Sequence, residues 1–190
     1  SKITNEASIE ISGSGTGIKS AGSIIANKNT GEISVVKGTN IEASDSLVTN
    51  NAVLSNKDGT GILGRNTEII NNGNLQIEKG TGISALSNSL LTNSAEINVT
   101  TEGAGIKASN SEINNNSNGT ITVTKGVNIF AQNESDLYSS VLRKFYHCSP
   151  TDIDSRECMD INGYSSYFTS RNHEFSSSNN IIIGVKVIDQ

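Results

Sequence analysis

The sequence has little of what builds an ordinary helical enzyme domain. Its 190 residues include no Trp, one Pro, one Met and two Cys, and aromatic residues make up only 4% of the chain. Few stretches carry the Leu, Ala, Glu and Lys content that helices prefer. No apolar run approaches the roughly 18 residues of a membrane span. No basic cluster offsets the net charge of -5, which argues against nucleic acid as a partner.

The residues that are abundant are small and polar. Ser (28), Thr (16), Asn (25) and Gly (18) total 87, almost half of the chain. Disorder fits this composition poorly, because β-branched residues recur throughout and only 17% of residues are charged. Such a composition favours a protein of short strands and many turns.

A repeat organises the first two thirds of the chain. The string G-x-[GN]-I occurs six times, with its leading glycines 23, 21, 21, 23 and 23 residues apart. These glycines are Gly15, Gly38, Gly59, Gly80, Gly103 and Gly126. Units of this length bury a core only by stacking on one another, which predicts a solenoid.

A second landmark, an aliphatic residue followed two places later by Asn, keeps a constant phase with the first. Its asparagines are Asn5, Asn27, Asn50, Asn71, Asn93 and Asn115. Stacked amides can donate and accept at once, so we predict a hydrogen-bonded Asn ladder inside the wall. Because Asn also tolerates a left-handed backbone, we place these residues at a sharp corner.

Each unit also carries a third pair of alternating apolar residues, such as Ile33 and Val35. Three short strands per unit predict an all-β fold, a right-handed three-sided parallel β-helix of about six coils of 21 to 23 residues. Ile3-Thr4-Asn5 already has the form of the second landmark, so the chain is expected to start in mid-coil, as part of a longer rod.

The composition changes near the C-terminus. All eight aromatic residues lie at or after position 130. We predict β-helix repeats over 1–131, an aromatic excursion or terminal cap over 132–178, and a returning strand over 179–190. Phe130, Phe145 and Phe168 are expected in a core.

The same region carries the candidate binding residues. Tyr164, Tyr167, Arg171 and Tyr146 lie in the aromatic segment, and the first two stand among the Gly, Ser and Asn residues typical of recognition loops. We predict these four side chains as ligand contacts.

Cys148 and Cys158 flank a polar loop, and in an exported chain they would form a disulfide. Their spacing from the two histidines matches no standard zinc site, and no calcium-loop pattern is present. We therefore expect no metal, no cofactor and no catalytic residue.

The repeats resemble a known family. Units such as GTGIKSAGSIIANKNTGEISVVKG and GTGISALSNSLLTNSAEINV are similar to the passenger regions of large fusobacterial type V autotransporter adhesins, over about residues 1–131. The resemblance implies a rod displayed on the outer membrane by a C-terminal barrel absent from this chain. It also implies binding to a host glycan, a receptor protein or a partner bacterial surface.

The function expected from these observations is that of a non-catalytic cell-surface adhesin. Two alternatives remain open: a β-helical polysaccharide lyase or hydrolase, and a purely structural spacer.

Overall fold

The computed structural model describes residues 1–132, 135–139, 145–148, 159–161, 167–169 and 182–184, with side chains for 1–132 and 135. Every element of secondary structure in these ranges is a β-strand, and none is a helix. The strands belong to stacked coils, so the predicted all-β solenoid of about six coils is confirmed.

Each coil contributes one short strand and one long strand. The short strands are β1 (Lys2–Asn5), β3 (Ile24–Asn27), β5 (Leu47–Asn50), β7 (Glu68–Asn71), β9 (Leu90–Asn93), β11 (Glu112–Asn115) and β13 (Asp136–Ser139). The long strands are β2 (Ile9–Ala21), β4 (Ile33–Ser44), β6 (Leu54–Arg65), β8 (Leu75–Leu86), β10 (Glu96–Ser109) and β12 (Thr120–Gln132). Short strands pair in parallel with short strands of the next coil, and long with long, which makes two parallel sheets.

The long strand bends, so each coil has three inward-facing runs although it has two hydrogen-bonded strands. In β4, Val36 and Lys37 are both exposed, whereas Asn40 and Ile41 are both buried. The alternation therefore breaks between them, at Gly38, whose φ is +123°. A Cβ atom at Gly38 would collide with the carbonyl oxygen of Gly15 in the coil before, so the bend requires glycine.

The core is a stack of aliphatic side chains in vertical columns. Ile41, Ile62, Ile83, Ile106 and Ile129 are each 0% exposed and lie in register, one above another. Small residues occupy the next inward place, and most of them are buried alanines such as Ala43 and Ala85. The inner face of the wall packs efficiently because similar residues repeat in every coil.

The solenoid continues past residue 131. Strand β13 pairs in parallel with β11, and this places Leu137 beside Ile113 and Ser139 beside Asn115. The repeating sheet therefore reaches Ser139, eight residues beyond the predicted boundary.

The remaining described strands are short. Strand β16 (Tyr167–Thr169) pairs antiparallel with β13. A separate antiparallel sheet joins β14 (Phe145–Cys148) to β15 (Met159–Ile161) and to β17 (Ile182–Gly184). The described part of the predicted returning strand, 182–184, thus pairs antiparallel with β14.

Candidate functional site

The six asparagines of the second landmark form a continuous column of amides in the core. The Nδ2 atom of each donates to the Oδ1 atom of the next, and the five bonds measure 2.8 to 2.9 Å. Asn27, Asn50, Asn71 and Asn93 are 0% exposed. At Asn50, Asn93 and Asn115 the same amide nitrogen also donates to a carbonyl of its own turn. The ladder thus joins each coil to the next and fixes the turn that follows the short strand.

The left-handed backbone lies at a different corner from the one expected. The ladder asparagines all sit in strands, and none is among the residues with positive φ. The left-handed residues have φ between +48° and +62° and are Gly22, Asp45, Asn66, Ser87, Asn88 and Asn110. They precede the short strands, where the chain turns from a long strand into the next face.

Directly after that corner lies a hydroxyl column that the sequence analysis missed. It comprises Ser23, Ser46, Thr67, Ser89, Ser111 and Ser135. The first five lie two residues before the aliphatic residue of an Asn landmark, and Ser135 lies two residues before Leu137, in the coil where Ser139 replaces the Asn. The backbone N–H groups of Ser89 and Ser111 donate to the hydroxyl of the next coil, at 3.2 and 3.3 Å. The sequence does carry a sign of this column: a Ser or Thr lies four residues before the landmark Asn, in the pattern [ST]-x-aliphatic-x-Asn. A search for the aliphatic-x-Asn landmark alone does not include that position.

A second polar pair interrupts the apolar core between the second and third coils. Asn56 takes the inward place that Val35 and Ile77 hold in neighbouring coils. Its Nδ2 atom lies 2.8 Å from Oδ1 of Asn40, and Asn40 in turn donates to the carbonyl of Ile33 at 2.7 Å. The Oδ1 atom of Asn56 is buried and accepts no hydrogen bond.

The charged residues of the outer surface form small alternating pairs. The Oε1 atom of Glu42 forms ion pairs with two neighbours. It lies 3.0 Å from the Nζ atom of Lys19 and 3.9 Å from the Nη1 atom of Arg65. Beside the bend glycines, one column reads Lys37, Asp58, Lys79, Glu102 and Lys125 from coil to coil. Opposite charges in adjacent coils stabilise the stack modestly, because exposed ion pairs contribute little each.

A groove opens on the outer face of the last two long strands, β10 and β12. We call it the Phe130 groove; its volume is about 460 Å³, and its side chains are Glu102, Ala104, Lys107, Lys125, Val127 and Phe130. Phe130 lies between the inward residues Ile129 and Ala131, so its ring faces outward and is only partly buried. Phe130 is therefore not part of the solenoid core; the expected core of the excursion lies outside the residues with described side chains.

The groove exists because the last two coils depart from the repeat. The column that begins Thr16, Thr39, Thr60 and Thr81 continues as Ala104 and Val127, which form an apolar floor. The column that holds Leu63 and Ser84 continues as Lys107 and Phe130. No earlier coil places an apolar residue in the first of these columns beside a lysine or an aromatic residue in the second; in the first coil, Lys19 stands beside Thr16.

The predicted contact residues fall mainly outside the part of the structure with described side chains. The backbone of Tyr146 lies in β14, opposite Asp160 and Gly184, and that of Tyr167 lies in β16, opposite Tyr138. Tyr164 and Arg171 lie outside the described residues. The two tyrosines that are placed belong to different sheets.

The predicted disulfide also falls outside this part. Cys148 ends β14, with no described side chain, and Cys158 lies outside the described residues. Where side chains are described, no group of three or more His, Cys, Asp or Glu residues is close enough to hold a metal ion. The same part of the chain has no helix with the length and apolarity to cross a membrane.

Comparisons of this chain with protein-family models, with curated proteins and with solved structures find no match.

Proposed function

We propose that this chain is a segment of a cell-surface adhesin of the autotransporter type, which binds a host glycan, a receptor protein or a partner bacterial surface without catalysis. In this proposal the coils form a stalk, and the aromatic segment after them makes contact. Anchorage in the outer membrane would depend on a C-terminal barrel outside this chain. The resemblance of the repeats to such passengers supports this location.

The observation that carries the proposal is the unbroken register of the coils. The seven short strands pair one after another from Lys2 to Ser139. Six steps at about 4.8 Å make a rod about 29 Å long. The internal Asn ladder joins the first five of these steps, from Asn5 to Asn115, and buried isoleucine columns pack inside the same coils. A rod of this kind holds whatever follows Ser139 at a fixed distance from its base, which is what a display stalk requires.

The surface chemistry is consistent with recognition by binding. The outward charges alternate in sign along the column of Lys37, Asp58 and Lys79. An enzyme that cleaves acidic polysaccharides needs acids and bases converging on one sugar. The regular coils would serve equally well in a purely structural spacer. An experiment on the aromatic segment is therefore needed to separate an adhesin from a spacer.

The test compares the 190-residue chain with a variant that lacks residues 134–176. Both proteins are first examined by circular dichroism, which must show β-structure for the comparison to count. Binding to host cells and to partner bacteria is then measured by flow cytometry. We expect binding by the full chain and at least a ten-fold loss in the deletion variant. Equal binding by the two proteins would contradict the contact role of the aromatic segment.

Two point variants sharpen this test. Replacing Tyr164 and Tyr167 together by Ala should weaken cell binding about ten-fold, since tyrosines are enriched among the residues that dominate binding energy at interfaces. Lys57→Gln is the matched control, because Lys57 is exposed on the outer face of β6. Release of reducing ends or unsaturated products from a polysaccharide panel would overturn the non-catalytic assignment.

A further inference from the structure

The Phe130 groove combines an apolar floor with unpaired positive charge. Its floor consists of Ala104, Val127 and the ring of Phe130. Phe130 is the only aromatic residue whose side chain the structure describes, and its ring faces outward. The other coils place Lys19, Glu42, Leu63, Ser84 and Lys107 in this outward column, so Phe130 is its one aromatic residue.

Some cations of the rod are paired and others are not. Lys19, Arg65 and Lys79 each lie within 4 Å of a glutamate, whereas Lys37 and Lys57 are exposed and form no ion pair among the described side chains. Lys107 and Lys125 are both exposed, and neither has an ion-pair partner among the residues with described side chains. The single carboxylate of the groove, Glu102, lies 3.9 Å from Lys79 in the preceding coil. The groove therefore has an excess of positive charge and is suited to an anionic ligand.

The strand pairing beneath the groove restricts how an anionic ligand can bind there. Strands β10 and β12 pair with each other along the groove, from Glu102–Lys125 through Ala104–Val127 to Lys107–Phe130. Because these two strands pair with each other, a ligand lying in the groove finds no free backbone groups between them. Strand β12 is the last strand of this sheet, so a peptide could be added only at its edge away from β10. A ligand here must bind through side chains and flat apolar contact alone.

We propose that the Phe130 groove binds a carboxylated sugar of an acidic glycan. The C–H face of a pyranose ring packs on Phe130 and Val127, and its carboxylate lies near the ammonium groups of Lys107 and Lys125. Glu102 accepts hydrogen bonds from sugar hydroxyls. The volume of about 460 Å³ accommodates one or two sugar rings. The inference deepens the proposed adhesin function and rests on it, because it names a ligand class and places a second contact on the stalk.

The experiment uses the 190-residue chain with three probes: sialyllactose, a galacturonate trisaccharide and neutral lactose. Binding is measured by ligand-observed NMR and by titration calorimetry. We expect a millimolar or tighter dissociation constant for at least one acidic probe, as is usual for small ligands. Lactose should bind at least ten-fold more weakly. Added salt should weaken acidic binding, since the lysines are exposed.

Two groove variants and two controls assign the site. Phe130→Ala should weaken binding about ten-fold and Lys107→Gln about five-fold. Leu63→Ala is the matched control for Phe130, because Leu63 occupies the same outward column three coils earlier. Lys57→Gln is the control for charge. Neither control should change binding, and circular dichroism should show that all four variants keep the fold of the parent.

The outcomes separate this inference from the adhesin proposal. Absence of binding to both acidic probes at millimolar concentration overturns the groove as a sugar site, whatever the cell-binding result. Binding that is equally strong in Phe130→Ala and in the parent also overturns it. Acidic binding lost in the groove variants supports the inference, even if deletion of residues 134–176 leaves cell binding unchanged and so refutes the contact role of the aromatic segment.

Discussion

The Asn ladder should contribute more to stability than any exposed polar pair, and Asn71 is the best place to test this. Asn71 is 0% exposed; its Oδ1 atom accepts from Asn50 at 2.9 Å and its Nδ2 atom donates to Asn93 at 2.8 Å. The substitution Asn71→Ala leaves one N–H of Asn50 and the Oδ1 atom of Asn93 buried without these partners. Each orphaned group costs about 1 to 3 kcal/mol, so the expected loss is about 3 kcal/mol.

The neighbouring residue supplies the control. Asn72 makes a bond of the same kind, from its Nδ2 atom to Oδ1 of Asn51 at 3.0 Å, but this bond is exposed. Asn72→Ala should therefore change the free energy of unfolding by less than about 0.5 kcal/mol, because water replaces the lost partner. A third variant, Asn71→Leu, keeps the inward volume filled, so a loss similar to that of Asn71→Ala would assign the effect to hydrogen bonds and not to a cavity.

Urea denaturation followed by circular dichroism measures all three variants. For urea slopes of about 1 to 3 kcal/mol per molar, the Asn71→Ala midpoint should fall by about 1 to 3 M. A solenoid can unfold coil by coil, so the slopes of the variants must be compared along with the midpoints. A midpoint for Asn71→Ala that falls no further than that of Asn72→Ala would refute the reasoning.

Three further predictions use the same assay. Gly38→Ala should destabilise the fold by at least about 2 kcal/mol, because its φ is +123° and a Cβ would strike the Gly15 carbonyl, whereas Gly13→Ala, with open space around it, should be nearly neutral. Ser111→Ala should cost about 1 to 2 kcal/mol, since the buried hydroxyl accepts from the Ser89 N–H and donates to the Ser109 carbonyl; a change below 0.5 kcal/mol would show that the hydroxyl column is not needed. Glu42→Gln should shift stability by less than about 1 kcal/mol, and high salt should reduce the shift further, because its pairs with Lys19 and Arg65 are at the surface. A larger, salt-independent effect would contradict that view.

Much of the fold could be predicted because a solenoid repeats local information. The leading glycines and the Asn landmark keep a constant phase, so stacking like on like yields the observed pairs, such as Asn50 beside Asn71 and Gly59 beside Gly80. The end of the repeat was harder to place. Ser139 replaces the expected Asn, yet β13 still pairs with β11, and the buried Ser135 was the marker that the coil continued.

The candidate site was predicted less well than the fold. The aromatic residues at or after position 130 were selected by type, and type alone does not show that Phe130, between Ile129 and Ala131, faces outward from the solenoid. The groove also depends on Glu102 and Lys107, which the sequence separates from Lys125 by 23 and 18 residues and which only stacking brings onto one surface.

The sequence by itself determined the period, the coil-to-coil register and the residues of the Asn ladder, because alternation and spacing are properties of single units. The tertiary structure decided where the left-handed corner lies, how the hydroxyl column bonds and which side chains meet at the Phe130 groove. The alternation of inward and outward side chains fails at a bend such as Gly38. Val36 and Lys37 before the bend are both exposed, and Asn40 and Ile41 after it are both buried. The direction of these side chains is therefore set by packing against the adjacent coils.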